Sequence, residues 1–110
     1  MEVGTATSPH INLRPAARRD LLEHFDYLRG EAGVETAVRF LIATEQAINL
    51  LAGRPRIGRI CGFTGRISNR FRQWPLPGFE NWLIFYLPLK NGVDILRILH
   101  GPRDLNALLE

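Results

Sequence analysis

Apolar residues recur at helical spacing in the first half of the chain and at every second position in the last third. Residues 1–9 have no period, and their small polar composition predicts a mobile tail ahead of a single domain over residues 10–110. Residues 10–14 alternate, with Ile11 and Leu13 on one side, and Pro15 ends that short strand. Pro15 also suits the first turn of a helix, where its missing N–H costs nothing. Leu21, Phe25 and Leu28 follow at spacings of four and three, with Leu22 widening the stripe and Asp20, Glu23 and Asp26 on the polar side. This predicts an amphipathic helix to about Arg29, punctuated by Gly30 and Gly33. Val34, Ala37, Val38, Leu41, Ile48, Leu51 and Ala52 mark a second helix, stopped by Gly53 and Pro55. The short glycine-containing connection implies an antiparallel helical hairpin.

Residues 54–69 carry no sustained period, and a connection of that length in a compact domain is functional or mobile. Three strands are then predicted, Arg70–Leu76, Trp82–Leu89 and Val93–Leu99. Pro77-Gly78 fits a type II turn between the first two, and Asn91-Gly92 is a strong hairpin signal between the last two. Residues 104–110 hold at most a helical turn. The order β-α-α-β-β-β implies an α+β fold, with the helical hairpin packed on one face of a mostly antiparallel four-stranded sheet.

A two-residue turn at Asn91-Gly92 would set Lys90 opposite Val93, Tyr86 opposite Arg97 and Phe85 opposite Ile98. One face would then hold Leu83, Phe85, Leu87, Leu96 and Ile98, with His100 at its edge, and is expected against the helices. Phe71 joins that face in the register that buries a phenyl rather than a guanidinium. The other face is expected to be open and to carry Arg72, Trp74, Tyr86 and Arg97, a grouping suited to gripping anionic ligands. A plain alternative stands beside it. Tyr86 and Arg97 would then be an ordinary cross-strand pair, His100 a histidine at the core's edge, and Trp74 and Trp82 packing residues.

Composition narrows the classes. With 45% hydrophobic and 23% charged residues, a disordered or collagen-like chain is excluded. No apolar run approaches the ~18 residues of a membrane span, and no signal-peptide pattern opens the chain. Cys61 is the single cysteine, which rules out an internal disulfide and suits a cytoplasmic protein. His10, His24, His100 and Cys61 have no metal-ligand spacing, and no nucleotide-binding motif or nucleophile elbow is present, so neither metal nor cofactor is expected. Charge changes the picture more. Of 14 basic residues 13 are arginine, and no acid lies between Glu45 and Glu80, where Arg54, Arg56, Arg59, Arg66, Arg70 and Arg72 fall. Arginine's planar fork matches carboxylate and phosphate, so the expected partner is an acidic peptide or a nucleic acid.

Several segments together resemble the RelE/ParE superfamily of type II toxins, also described as plasmid stabilisation proteins. They are the early Arg-Pro-Ala-Ala-Arg-Arg-Asp-Leu, the Arg-Pro-Arg-Ile-Gly at 54–58, the aromatic hairpin and the closing Leu-His-Gly-x-Arg-Asp at 99–104. The resemblance implies a cytoplasmic toxin neutralised by a cognate antitoxin with an acidic C-terminal segment. The implied partner-binding residues are Arg54, Arg56, Arg72, Trp74, Tyr86, Arg97 and Arg103. Two activities exist among such toxins. ParE-like members are not enzymes and poison DNA gyrase. RelE-like members cut messenger RNA on the ribosome without a metal, and here Arg72, Tyr86, Arg97 and His100 would be the candidates. RNA cleavage needs a base, an acid and cations around the phosphate. The relevant strands have no lysine, and the segment after Arg103 has no Tyr or His, which favours the ParE-like side. A third reading is an inactive member that only binds an antitoxin-like partner.

Overall fold

Pro15 and Gly33 bracket the first helix, and each does so for a backbone reason. In the computed structural model, which describes residues 9–61 and 71–104, strand β1 (His10–Leu13) leads through extended Arg14 into helix α1 (Pro15–Ala32), with proline at its start. Gly33, at φ +98°, turns the chain where a side chain would be strained, and helix α2 (Val34–Gly53) begins at once. Strands β2 (Arg59–Ile60), β3 (Arg72–Leu76), β4 (Phe79–Leu89) and β5 (Gly92–His100) complete the sheet. Its five strands lie in the order β1-β5-β4-β3-β2, antiparallel except where β1 runs parallel to β5. The two-residue β2 is the strand that the four-stranded expectation lacked. Residues 101–104 form a helical turn. The expectations for the tail over residues 1–8, for Arg66 and Arg70 and for residues 105–110 lie outside the described residues.

The hairpin register corrects the sequence-based one. Leu89 pairs with Gly92, so the turn residues are Lys90 and Asn91. Gly92 sits at φ +146° with its α-carbon against the backbone of His10, and a β-carbon there would run into the His10 carbonyl. Parallel pairing of β1 with β5 thus requires glycine at the first position of β5. A bulge then shifts the pairing. Tyr86 pairs with Ile95, but Phe85 pairs with Arg97 and Ile84 with Ile98, leaving Leu96 extra.

Along β4, and along β5 as far as the bulge, the two faces are also exchanged relative to expectation, whereas Ile98 beyond it meets the helices as expected. Trp82, Ile84, Tyr86, Val93, Ile95 and Ile98 share one core with Ala37, Phe40 and Leu51 of the helices. Phe85, Leu99, Phe71 and Cys61 form a second cluster, with Leu83, Leu87 and Leu96 packed on it. Phe71 does lie beside Phe85, their rings 6.2 Å apart, and Arg72 does pair with Tyr86 and Trp74 with Ile84. The β3–β4 grouping is therefore as expected, but the Arg72–Trp74–Tyr86 row points at the helices and not away from them.

The helices are rotated from their expected stripes too. On α1 the buried positions are Ala17, Asp20, His24 and Leu28; Leu21 and Phe25 are half-buried and Leu22 is exposed. On α2 they are Ala37, Phe40, Thr44, Ala47, Ile48, Leu51 and Ala52, while Val34 and Val38 are exposed.

Candidate partner-binding surface

The inward row holds the loop that follows α2. Tyr86 is fully buried; its hydroxyl donates to the Pro55 carbonyl (2.8 Å) and accepts from the Gly58 N–H (2.9 Å). Burial raises the Tyr86 pKa and keeps the phenol protonated. Arg72 Nη1 donates to the carbonyls of Arg56 (3.0 Å) and Gly58 (2.8 Å). Gly58 is packed so closely that a β-carbon would strike the Tyr86 hydroxyl and come within 2.9 Å of the Gln73 carbonyl. Trp74 is half-buried against the same core. These side chains fix residues 55–58 in place, and in doing so commit the hydroxyl of Tyr86 and the Nη1 of Arg72.

Arg97 leaves that row. Its Nε and Nη2 reach Asp20 at 2.7 and 3.0 Å, and the same carboxylate accepts the Ile98 N–H at 3.0 Å. One turn along α1, His24 Nε2 donates to the Ile98 carbonyl at 2.7 Å. β1 pairs with β5 only as far as Ile95. Asp20 and His24 thus satisfy the backbone of β5 beyond its neighbour, as a strand would. Desolvation lowers the His24 pKa, consistent with the neutral, Nε2-protonated ring that this bond requires. A charged hollow of about 280 Å³ lies here, lined by Asp20, Glu23, His24, Arg97, Arg103 and Asp104. Arg103 lies 5.2 Å over the Tyr27 ring and pairs with Asp104. His100 stands opposite Trp82 at the core's edge, their rings 4.6 Å apart, and is half-buried.

The sequence-predicted residues therefore divide. Tyr86 and Arg72 meet at the 55–58 loop, Trp74 is half-buried against the core, Arg97 and Arg103 meet at the β5 hollow, and Arg54 and Arg56 stay exposed. The last two line a cleft of about 480 Å³ with Lys90, over an apolar floor of Pro55, Ile57 and Leu89. Among the described residues, no carboxylate lines it. Lys90, Asp20 and His24 were missed from sequence. Asp20 and His24 carried one signal, because they continue the four-residue spacing that ends at the buried Leu28.

Among the described residues, no three His, Cys, Asp or Glu side chains gather to hold a metal ion. Burial pushes the Cys61 thiol up to about 11, so it stays protonated. No helix among these residues is long and apolar enough to cross a membrane.

Two helices packed on one face of a five-stranded sheet have a solved counterpart. The fold superposes on a chain of the solved chromosomal ParDE toxin–antitoxin system from P. aeruginosa with a TM-score of 0.69, covering 84% of this chain and 96% of that one at 17% identity. The family assignment comes from sequence. Residues 11–105 match the family described as the ParE toxin of type II toxin–antitoxin system, parDE. Toxin ParE1 of Mycobacterium tuberculosis, in strains CDC 1551 / Oshkosh and ATCC 25618 / H37Rv, is 31% identical over 97 residues, covering 88% of this chain and 94% of the relative. The chain belongs to the ParE toxin family of type II toxin–antitoxin systems.

Proposed function

We propose that this toxin acts in the cytoplasm by binding and inhibiting DNA gyrase, and that a cognate antitoxin neutralises it with an acidic segment held by Arg54 and Arg56. One observation carries the choice of protein contact over RNA cleavage. The groups that would serve a nuclease are already bonded within the fold. The Tyr86 hydroxyl has both a donor and an acceptor in the 55–58 loop, Arg72 Nη1 caps two carbonyls of that loop, and Arg97 is held two-point by Asp20. A phenol with its proton on a carbonyl and its lone pair on an N–H cannot reach a ribose hydroxyl without dismantling the loop. His100 pairs with Trp82, four positions along β4 from Tyr86, and its ring lies against the tryptophan. Arg54, Arg56 and Lys90, by contrast, are exposed and, among the described residues, meet no acid in the cleft. Such a corner favours carboxylates by desolvating arginine forks beside an apolar floor.

The test is expression of the chain alone in a permissive bacterial host. The expected result is growth arrest with induction of DNA-damage signalling and intact messenger RNA. Arrest with messenger RNA cut within codons and no damage response would replace this reading with the ribosome-dependent nuclease. Harmless expression would reduce the chain to an antitoxin-binding module.

A further inference from the structure

The loop after α2 turns its cations to solvent and its acceptors inward. Arg54, Arg56 and Lys90 are exposed around the cleft of about 480 Å³, over Pro55, Ile57 and Leu89. Cationic and apolar side chains therefore alternate through residues 54–57. The carbonyls of the loop are engaged elsewhere. That of Arg54 accepts the Ile57 N–H (3.2 Å), that of Pro55 accepts the Tyr86 hydroxyl (2.8 Å), and those of Arg56 and Gly58 accept Arg72 Nη1 (3.0 and 2.8 Å). The end of α2 is closed in the same way, because the Arg54 N–H donates to the carbonyls of Leu50 and Leu51 (3.0 and 3.2 Å). Among the described residues, the lining of the cleft thus has neither a carboxylate nor any other side-chain acceptor.

We infer that this cleft grips the sugar–phosphate backbone of DNA, with phosphates on Arg54, Arg56 and Lys90 and deoxyribose on Pro55, Ile57 and Leu89. The inference rests on the gyrase reading above and adds a contact of the toxin's own with the DNA on which that target works. A nucleic-acid strand alternates anionic phosphate with a largely apolar sugar, and the lining of the cleft repeats that alternation. Arginine's fork meets two phosphate oxygens at once, and lysine meets phosphate as a point charge. Contacts of this kind place a protein on DNA without reading its sequence. The missing acceptors choose between the two nucleic acids. A protein that prefers RNA bonds its 2′-hydroxyl. Here the loop has committed its carbonyls to Tyr86, Arg72 and the Ile57 N–H, so a ribose hydroxyl would lie unpaired on the apolar floor. The anchoring of residues 55–58 therefore has a consequence at the surface, since it removes negative potential from beside the three cations. One anion fills the cleft at a time, so DNA and an acidic protein segment exclude one another there.

The experiment titrates the purified full-length toxin into a short fluorescein-labelled DNA duplex, and into the RNA duplex of the same sequence, and reads anisotropy over a range of salt. With a phosphate on each of the three cations, the logarithm of the binding constant is expected to fall against the logarithm of salt with a slope of about −2.7. The triple variant Arg54→Gln/Arg56→Gln/Lys90→Gln is expected to bind DNA at least about tenfold more weakly at low salt and to flatten that slope. The control Arg18→Gln/Arg19→Gln/Arg39→Gln removes the same formal charge from exposed helix positions and is expected to keep the slope. Thermal unfolding confirms that each variant is folded. In a gyrase supercoiling assay the cleft variant is expected to lose potency by a similar factor, and the control is not. No DNA binding by the unaltered toxin, equal binding by the two triple variants, or tighter binding to the RNA duplex would overturn the DNA contact. Gyrase inhibition by the unaltered toxin would in each of those cases leave the target reading standing. Absence of that inhibition would overturn the target reading, whatever the duplexes show.

Discussion

Tyr86→Phe separates a structural phenol from a catalytic one. The change removes one oxygen from a side chain that is fully buried. The Gly58 N–H then loses its acceptor and the Pro55 carbonyl loses its donor. The orphaned Gly58 N–H belongs to a buried residue, and the β-carbon-sized space beside it is already filled by the tyrosine ring and the Gln73 carbonyl, so water has little room to substitute. Leaving such a group unpaired costs about 1–3 kcal/mol. With about 2.1 cal/mol/K of unfolding entropy per residue, 110 residues lose about 4 °C of Tm per kcal/mol, so the expected fall is about 4–12 °C. The assay is thermal unfolding followed by circular dichroism, with hydrogen exchange on residues 55–58. Exchange there is expected to accelerate more than in β4. A catalytic phenol would behave in the opposite way, with toxicity abolished and Tm unmoved. A Tm within about 1 °C of the unaltered protein would refute the anchoring role.

Three further outcomes rest on contacts of the same kind. Gly92→Ala places a methyl into the His10 backbone at φ +146°, and is expected to cost roughly 1–3 kcal/mol in urea unfolding and to speed amide exchange in β1. Asp20→Ala leaves both the Arg97 guanidinium and the Ile98 N–H without their acceptor and is expected to cost about 3 kcal/mol, more than Arg97→Ala, whose side chain is 30% exposed; equal costs in urea unfolding would contradict this. His24 has its pKa lowered by desolvation, so the unfolded chain takes up the proton first as pH falls. Its share of stability is full above about pH 6.5 and declines below it, and His24→Gln, which keeps an N–H for the Ile98 carbonyl, should flatten the stability profile between about pH 7 and 5.

The helical hairpin, the three long strands and the grouping of Arg72 and Trp74 with Tyr86 on one face were legible from period, proline and glycine. Which face meets the helices was not. β4 alternates Trp82, Ile84 and Tyr86 with Leu83, Phe85 and Leu87, and both sets are apolar enough to be buried. What the period does not show is the loop: the inward Tyr86 hydroxyl bonds the backbone of Pro55 and Gly58. The bulge at Leu96 left no mark either, since an inserted leucine in a run of Ile, Leu and Val does not break the composition. The turn moved to Lys90-Asn91 for a long-range reason, the approach of His10 to Gly92, which no local turn rule contains. β2 was missed because two residues carry no period. Asp20 was assigned to the polar side by its charge, whereas Arg97 and the Ile98 N–H make its burial tolerable. The basic corner was legible as a gap in the acids, and folding joined it to Lys90.

The most direct test of the account is a paired assay with purified toxin: supercoiling by DNA gyrase, and cleavage of messenger RNA on programmed ribosomes. Inhibition of supercoiling in proportion to toxin concentration, with intact RNA, is the predicted result. Undisturbed supercoiling together with RNA cleavage that Tyr86→Phe abolishes at a temperature where the variant is folded would contradict it.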